Sequence, residues 1–253
     1  MTCTVQVEND PYPTKVLERH WPHVTRHTDI KDVTAHDLGP IDLLCGGFPC
    51  VDISAAGRRA GLAGERSGLW FEFARLIDEA RPEWVVVENV AGLLSSNLGD
   101  DLAVILGTLE QLGYEWAYRL VDSQWFGVAQ RRRRVFIVGH RRASGGRAAQ
   151  ALLEPSSGDE RTHPCRPPRQ VAGTITHSSL GGGGVDDNNA QAGHLIVDSD
   201  RVRKLTPVEC ERLQGFPDGW ADNLSDTRRY RALGNAVTVN VAEWLGRRIV
   251  GSG

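Results

Sequence analysis

The stretch Ile41-Asp42-Leu43-Leu44-Cys45-Gly46-Gly47-Phe48-Pro49-Cys50-Val51-Asp52-Ile53-Ser54 carries two signals side by side. Its first five residues form an apolar run that reads as a buried strand. The next five place a cysteine just past that strand, behind two glycines and a proline. Pro49 stiffens the turn and the glycines keep it open, so Cys50 is presented to a ligand. A basic, glycine-rich segment follows, Ala56-Gly57-Arg58-Arg59-Ala60-Gly61-Leu62. A strand ending in a chemically equipped turn is the pattern of α/β folds, which bind ligands at the carboxyl ends of their strands.

Outward from this stretch, strand-like and helix-like runs alternate as far as Gly139. Thr4 to Glu8 reads as a strand and Pro13 to Trp21 as a helix. Ile41 to Cys45 is a strand, and Leu69 to Ala80 a helix with Leu69, Phe73, Leu76 and Ile77 on its apolar positions. Trp84 to Val87 is a strand and Leu102 to Leu112 a helix; Trp116 to Val121 and Val135 to Val138 are strands. The alternation predicts an α/β domain with a mostly parallel sheet covered on both faces. Glu8, Pro49-Cys50 and Glu88 all lie just after strands.

Composition shifts after His140. Residues 141–202 are rich in Gly, Ser, Pro, Asp and Asn, with Gly181 to Gly184 consecutive, and lack sustained periodicity. By composition alone they read as a disordered insert or linker. Helix signals return after Lys204. Val208 to Leu213 follows Thr206 as N-cap and Pro207 in the first turn, and Val237 to Val250 is amphipathic.

The length of 253 residues suits one domain, or one domain with an insert, and 40% apolar content supports a sizeable core. No segment approaches the ~20 continuous apolar residues of a membrane span. Met1 to Asp10 has neither the basic start nor the apolar stretch of a signal peptide. The five cysteines, Cys3, Cys45, Cys50, Cys165 and Cys210, form no Cys-x-x-Cys pair, so no zinc site is expected and a reducing cytosol fits. The net charge of −3 does not point to nucleic acid, but the local distribution does. Arg131 to Arg134, Arg141 with Arg142, Arg166 with Arg169, and Arg228, Arg229 and Arg231 are clustered, whereas acids are spread over the predicted helices. Local basic patches bind phosphates even on a mildly acidic protein.

The Pro49-Cys50 segment resembles the catalytic loop of C5-cytosine DNA methyltransferases, and three further segments resemble the same family in the same order. Trp84-Val85-Val86-Val87-Glu88-Asn89-Val90 resembles its Glu-Asn-Val motif. Gln130-Arg131-Arg132-Arg133-Arg134-Val135 is similar to its Gln-x-Arg-x-Arg motif; alternation puts Gln130, Arg132 and Arg134 on one side of an extended segment. The C-terminal block, Arg203 to Pro207 through Arg212-Leu213-Gln214-Gly215-Phe216-Pro217 and then Tyr230 through Gly234-Asn235-Ala236-Val237, resembles its last two motifs. The resemblance spans nearly the whole chain and implies a Rossmann-like, S-adenosylmethionine-dependent methyltransferase fold. Two departures stand out. Family members begin with a strand and a Phe-x-Gly-x-Gly turn. Here Cys3-Thr4-Val5-Gln6-Val7-Glu8, which looks like the family's second strand, follows the start at once. The first strand, its turn and a helix, ~30 residues or more, are therefore expected to be lacking. The family's usual Gln after the nucleophile is Val51 here.

The resemblance also implies roles. Cys50 would add to C6 of cytosine and make C5 nucleophilic. Taken alone, it also fits a small core residue, the reading kept for Cys45. Glu88 would supply a proton or strong hydrogen bond to N3, though an isolated strand-end carboxylate can simply face solvent. Arg132 would steady the activated base and the thiolate, and Asn89 would order the loop. The base must be flipped out of the duplex. The loop Ser54 to Ser67 resembles the family's mobile loop, with Arg58, Arg59 and Arg66 as DNA contacts beside Gln130 and Arg134. For S-adenosylmethionine, Glu8 would accept from ribose hydroxyls, Asp29 and Ile30 would hold the adenine, and Asn235 and Val237 would close the methionine end. No metal is expected.

The implied organisation is a catalytic domain at 1–140, a target recognition region at 141–202 with Thr174 to Ser179 as a candidate base-contacting stretch, and a C-terminal return at 203–253. The implied partners are double-stranded DNA and, in a restriction-modification setting, a cognate restriction endonuclease. A cytoplasmic monomer of bacterial or phage origin, with no membrane association, is expected. Two other readings stay open: a truncated relic that binds DNA or a partner without turnover, and the family's tRNA-methylating branch, whose Cys-Phe-Thr stretch is absent from this sequence.

Overall fold

The structure is a computed structural model that describes residues 1–49, 68–141, 145–153, 172–175, 195–198 and 201–251. Cys50, Arg58, Arg59 and Arg66 lie outside the described residues, as does most of 141–202. In chain order the elements are β1 (Val5–Val7), α1 (Pro11–His20), β2 (Thr25–His27), α2 (Ala35–Leu38), β3 (Leu43–Gly47), α3 (Leu69–Ala80), β4 (Trp84–Val90), α4 (Asp100–Gln111), β5 (Glu115–Asp122), β6 (Arg133–His140), α5 (Arg147–Leu152), β7 (Leu195–Asp198), β8 (Arg201–Lys204), α6 (Pro207–Gln214), α7 (Asp226–Asn235) and α8 (Val239–Gly251).

The main sheet has the order β3-β4-β6-β5. β3 pairs parallel with β4, and β6 runs antiparallel to both β4 and β5. Three of the four strands therefore point the same way, but two of the three pairings are antiparallel, so the sheet is mixed. Only residues 123–132 separate β5 from β6. That is too short for the helical crossover a parallel pair requires, so β6 must return beside β5. β1 and β2 form a separate parallel pair, and β7 with β8 an antiparallel one.

β4 shows why its sequence is nearly continuous in apolar residues. Val85 and Val87 pack on one face with Trp70, Phe73 and Ile77 of α3 and Leu102, Ile105 and Leu109 of α4. Trp84 and Val86 pack on the other with Ala148, Ala151 and Leu152 of α5 and Val241, Leu245 and Ile249 of α8. A strand covered on both faces has no polar side to alternate with. The C-terminal segment thus closes the second face of the sheet.

α6 starts where its signals put it. The Thr206 hydroxyl accepts from the Glu209 backbone N–H and the Glu209 carboxylate reaches back, a full capping box with Pro207 in the first turn. It stops at Gly215 (φ +80°), where an added Cβ would lie 2.1 Å from Asn240 Oδ1. No helix among the described residues is long and apolar enough to cross a membrane.

Two expectations change. β4 runs on to Val90, so Glu88 and Asn89 lie within the strand rather than past it. Cys45 is exposed and not in the core, because β3 is an edge strand of the main sheet.

Candidate active site

Alternation along β4 sends Glu88 and Asn89 to opposite faces. Each does a different job. Glu88 sits opposite Gly47 of β3 on one side and Phe136 of β6 on the other. A Cβ on Gly47 would lie 3.2 Å from Glu88 Oε2 and 3.1 Å from its backbone oxygen. The absent side chain therefore leaves the carboxylate its place. Burial pushes the Glu88 carboxyl above its ordinary pKa, against the smaller opposing pull of Arg134 and then Arg132. Arg134 Nε lies 3.1 Å from Glu88 Oε1. Arg134 faces Val90 in the β4–β6 register, so it is the diagonal neighbour of Glu88 on the same face.

Asn89 is buried. Its Nδ2 donates to the Phe48 carbonyl at 2.9 Å, and its Oδ1 accepts from the Val90 N–H at 2.8 Å. Phe48 is itself buried against Trp70, with ring centroids 5.4 Å apart. The backbone that leads into Pro49 and Cys50 is thus tied to β4 one residue from Glu88.

The Gln-x-Arg-x-Arg residues divide between two surroundings. Arg132 is buried, and its guanidinium donates to the carbonyls of Gly234 (3.1 Å), Ala236 (2.9 Å) and Ile175 (3.4 Å). Burial first, and then Arg134, lower its pKa to about 10. The guanidinium paired with Glu88 is that of Arg134, not Arg132. Gln130 is fully buried and presents no surface to DNA. It donates to the Leu213 carbonyl at 2.9 Å and accepts from the Ile175 N–H at 3.2 Å. Gln214, Thr238 and Ser123 extend this buried network: Thr238 Oγ1 donates to Gln214 Oε1 at 3.0 Å and lies 2.8 Å from Ser123 Oγ. Buried polar groups need partners of this kind, and these clamp the C-terminal block to the lead-in of β6. Of Thr174 to Ser179, only Thr174 and Ile175 are described. Thr174 donates to the Arg131 carbonyl at 2.8 Å and Ile175 is buried beside Leu205, Cys210 and Leu233. Ile175 is fully buried, whereas Thr174 is half-buried.

The residues assigned to the cofactor come from three elements. Glu8 follows β1, and Asp29 lies just past β2. The parallel register sets Val7 beside His27, so both carboxylates stand at the same end of the pair. Glu8 Oε1 accepts from the Asp10 N–H at 2.7 Å, and Asp29 Oδ1 caps Lys31 N–H at 3.0 Å. Ile30 is half-buried between two core clusters. Asn235 is exposed at the end of α7, and Val237 is half-buried against the Trp84 face of the sheet.

Arginines read as a phosphate patch connect these parts instead. Arg231 Nη2 lies 3.0 Å from Asp10 Oδ2, and the Arg228 guanidinium sits 3.9 Å over the Tyr12 ring. Together they dock α7 on α1 and bring the Asn235 turn toward the Glu8 loop. Arg229 is buried in an ion pair with Glu211 at 2.9 Å. Arginine spacing on a helix does not show whether the partner is a phosphate or a carboxylate brought in from elsewhere in the fold. For this reason sequence reasoning missed α7 as a bridge, and Asp10 with it.

The chain is 31% identical over 98% of its length to the type II methyltransferase M2.BsuMI of Bacillus subtilis, covering 69% of that protein. It is 32% identical over 88% of its length to M1.ScrFI of Lactococcus lactis subsp. cremoris, covering 66% of that one. The chain thus spans about two thirds of the length of these relatives. The fold is shared with a crystal structure of a putative DNA modification methyltransferase from a prophage in E. coli, at a TM-score of 0.68 and 17% identity, over 98% of this chain and 92% of that one. Residues 1–164 and 169–251 match the family model described as C-5 cytosine-specific DNA methylase. A match broken only at residues 165–168 covers the strands that hold Glu88 and Arg134 and the C-terminal block that Arg132 clamps, and it places this chain in the C-5 cytosine-specific DNA methylase family.

Proposed function

We propose that this protein transfers a methyl group from S-adenosylmethionine to C5 of a cytosine flipped out of double-stranded DNA. The observation that carries the reading is the joining of three groups at the end of β4. Glu88 is held with a raised pKa beside Arg134, and Asn89 anchors the turn that enters Cys50. A carboxyl group that keeps its proton above the ordinary carboxylate range suits donation to N3 of a buried base. As N3 gains the proton, the Cys50 thiolate forms a bond to C6 and electron density moves to C5. C5 would then bond the methyl group as that group's bond to the donor's sulfonium sulfur breaks, a neutral thioether being the leaving group. Loss of the C5 proton to a base expels the Cys50 sulfur, N3 returns its proton to Glu88, and the aromatic ring is restored. Arg134 stabilises charge near the base, and Arg132 acts through the turn at Gly234 to Ala236.

The cofactor supplies the methyl group. The residues present fit it: Glu8 and Asp29 offer carboxylates at one end of a parallel pair, Ile30 an apolar surface, and Asn235 and Val237 a lip held by Arg132. Residues 1–140 with 203–253 make up the catalytic body in this reading, and 141–202 select the DNA site. A cognate endonuclease is the partner expected from the type II names of the relatives.

The test is trapping on duplex DNA containing 5-fluorocytosine, in the presence of S-adenosylmethionine. Fluorine blocks proton loss from C5, so a covalent protein–DNA adduct should accumulate through Cys50 and be absent in Cys50→Ala. Near wild-type methylation by Cys50→Ala would overturn the mechanism. Among the described residues β3 is bonded on one side only, by β4, which favours a second reading, a chain that binds DNA without turnover. DNA binding with neither methylation nor adduct would select it.

A further inference from the structure

We propose that Arg131 and Arg133 hold two phosphates of the DNA backbone, so that the intervening positions of the Gln-x-Arg-x-Arg segment, and not its defining ones, grip the duplex. This rests on the methyl-transfer reading only for the identity of the substrate as DNA. The defining residues are engaged within the protein. Gln130 and Arg132 are buried on carbonyls of the chain, and Arg134 is held beside Glu88. Side chains alternate along an extended segment, so Arg131 and Arg133 turn the other way. Both are exposed, and among the described residues neither guanidinium has a hydrogen bond, ion pair or ring contact.

Other surface arginines do have partners. Arg81, Arg203, Arg212 and Arg247 each meet a carboxylate at 2.8 Å or less. The arginines of α7 are engaged with Asp10, Tyr12 and Glu211. Arg133 has an acid opposite it, Asp122 of β5. That carboxylate is occupied. Its Oδ1 accepts from the N–H groups of Arg132 (3.2 Å) and Gln124 (3.3 Å), and its Oδ2 from the Gln124 amide (2.8 Å). The pairing that quenches other surface arginines is therefore missing at these two adjacent positions.

The backbone that carries them is fixed. The Arg131 N–H donates to the Ala172 carbonyl at 2.8 Å, and the Arg131 carbonyl accepts from the Thr174 hydroxyl at 2.8 Å. The Arg132 carbonyl accepts from the Ser123 N–H at 3.0 Å. Only two side chains need ordering when a ligand arrives, which limits the entropic cost of binding. Positions two apart on an extended chain lie about 7 Å from each other. The two guanidinium forks thus address anionic groups in a row, as a polynucleotide strand offers them, and such forks match phosphate geometry. Arg133 faces the last residue of β5, and Arg134 the last residue of β4. The pair stands at the carboxyl ends of those strands, the end at which Glu88 meets the base in the proposed reaction.

The test is binding of the purified chain to two duplexes of unrelated sequence, followed by fluorescence anisotropy as salt rises. Arg131→Ala and Arg133→Ala should each lower the slope of log affinity against log salt by about 1, equally on both duplexes, because phosphate contacts carry no sequence information. Between about 50 and about 200 mM salt, each variant should then lose about 3.5-fold less affinity than the wild type. Arg131→Lys and Arg133→Lys keep the charge and should keep the slope. Arg247→Ala, which removes an exposed arginine paired with Glu243, should leave it unchanged. Thermal midpoints should stay at the wild-type value throughout, since both side chains are exposed and without partners. The proposal is overturned if the wild type binds neither duplex, if both alanine variants keep the wild-type slope, if the loss is confined to one sequence, or if Arg247→Ala lowers the slope as much. The expected slopes without any adduct on 5-fluorocytosine DNA would sink methyl transfer and leave this contact standing. An adduct with unchanged slopes would do the reverse.

Discussion

Asn89 donates its side-chain amide to the carbonyl of Phe48 across a distance of 2.9 Å, inside the core. The bond joins two strands' worth of chemistry. On its β4 side the next residue back is Glu88; on its β3 side the chain runs through Pro49 into Cys50. An amide serves here because the partner is a carbonyl, which a carboxylate would repel.

Replacing Asn89 by alanine leaves the buried Phe48 carbonyl unpaired, at a cost of about 1–3 kcal/mol. The expected result is a lower thermal midpoint and slower adduct formation on 5-fluorocytosine DNA, with DNA affinity little changed. Adduct formation at the wild-type rate in a folded Asn89→Ala protein would show that the turn does not need this anchor.

Glu88→Gln should lower the rate of methyl transfer far more than the affinity for DNA, since the proposed contact strengthens as the base is activated. The pH dependence has a definite sign. Burial raises the Glu88 pKa, so the protonated acid persists above the ordinary carboxylate range and is lost as pH rises through the raised value. Single-turnover rates should fall over that limb in the wild type. A glutamine variant that kept the same limb would assign it to another group.

The two arginines should separate stability from rate. Arg132→Ala strands the carbonyl of Gly234, leaves that of Ala236 only the long 3.4 Å bond from Gln214 Nε2, and is expected to cost about 3 kcal/mol, measured by urea denaturation. Arg134→Ala should leave the denaturation midpoint nearly unchanged and lower the methylation rate by about a hundredfold, the usual scale for one electrostatic donor. The opposite pattern would return the catalytic role to Arg132.

Glu209 gives an acid-side prediction. Its hydrogen bond from Arg203, followed by those from Thr206, holds its carboxyl at about 2. A depressed carboxylate stabilises the fold fully above its ordinary pKa, and that stabilisation fades as pH drops toward about 2. Glu209→Gln should flatten this part of the stability–pH curve and, by weakening the cap of α6, cost about 1 kcal/mol at neutral pH. Denaturant midpoints across the acid range will show whether the slope changes.

Much of the fold was legible because its signals are local. Leu69 to Ala80 is a helix with the boundaries its periodicity implies, and Thr206 with Pro207 opens α6 as capping chemistry requires. α7 was not legible. Its Asp226-Thr-Arg-Arg-Tyr-Arg start is polar nearly all round, and its stability comes from Asp10, Tyr12 and Glu211, which no window around it contains. Cys45 was misread for the same reason: composition reports that a strand is apolar, but not whether a neighbour covers it.

The α/β alternation and the pairing of a Pro-Cys turn with a Glu-Asn strand end were readable residue by residue, because strand period, turn chemistry and motif order are written in consecutive positions. Which arginine meets Glu88 depends instead on segments distant in the chain. Gln130, Arg132 and Arg134 share one side of an extended segment, and nothing local distinguishes them. Residue 134 lies in β6, whose antiparallel register sets it diagonal to Glu88. Residues 130 and 132 precede that strand and pass beneath the C-terminal helices, where buried carbonyls take up their donors.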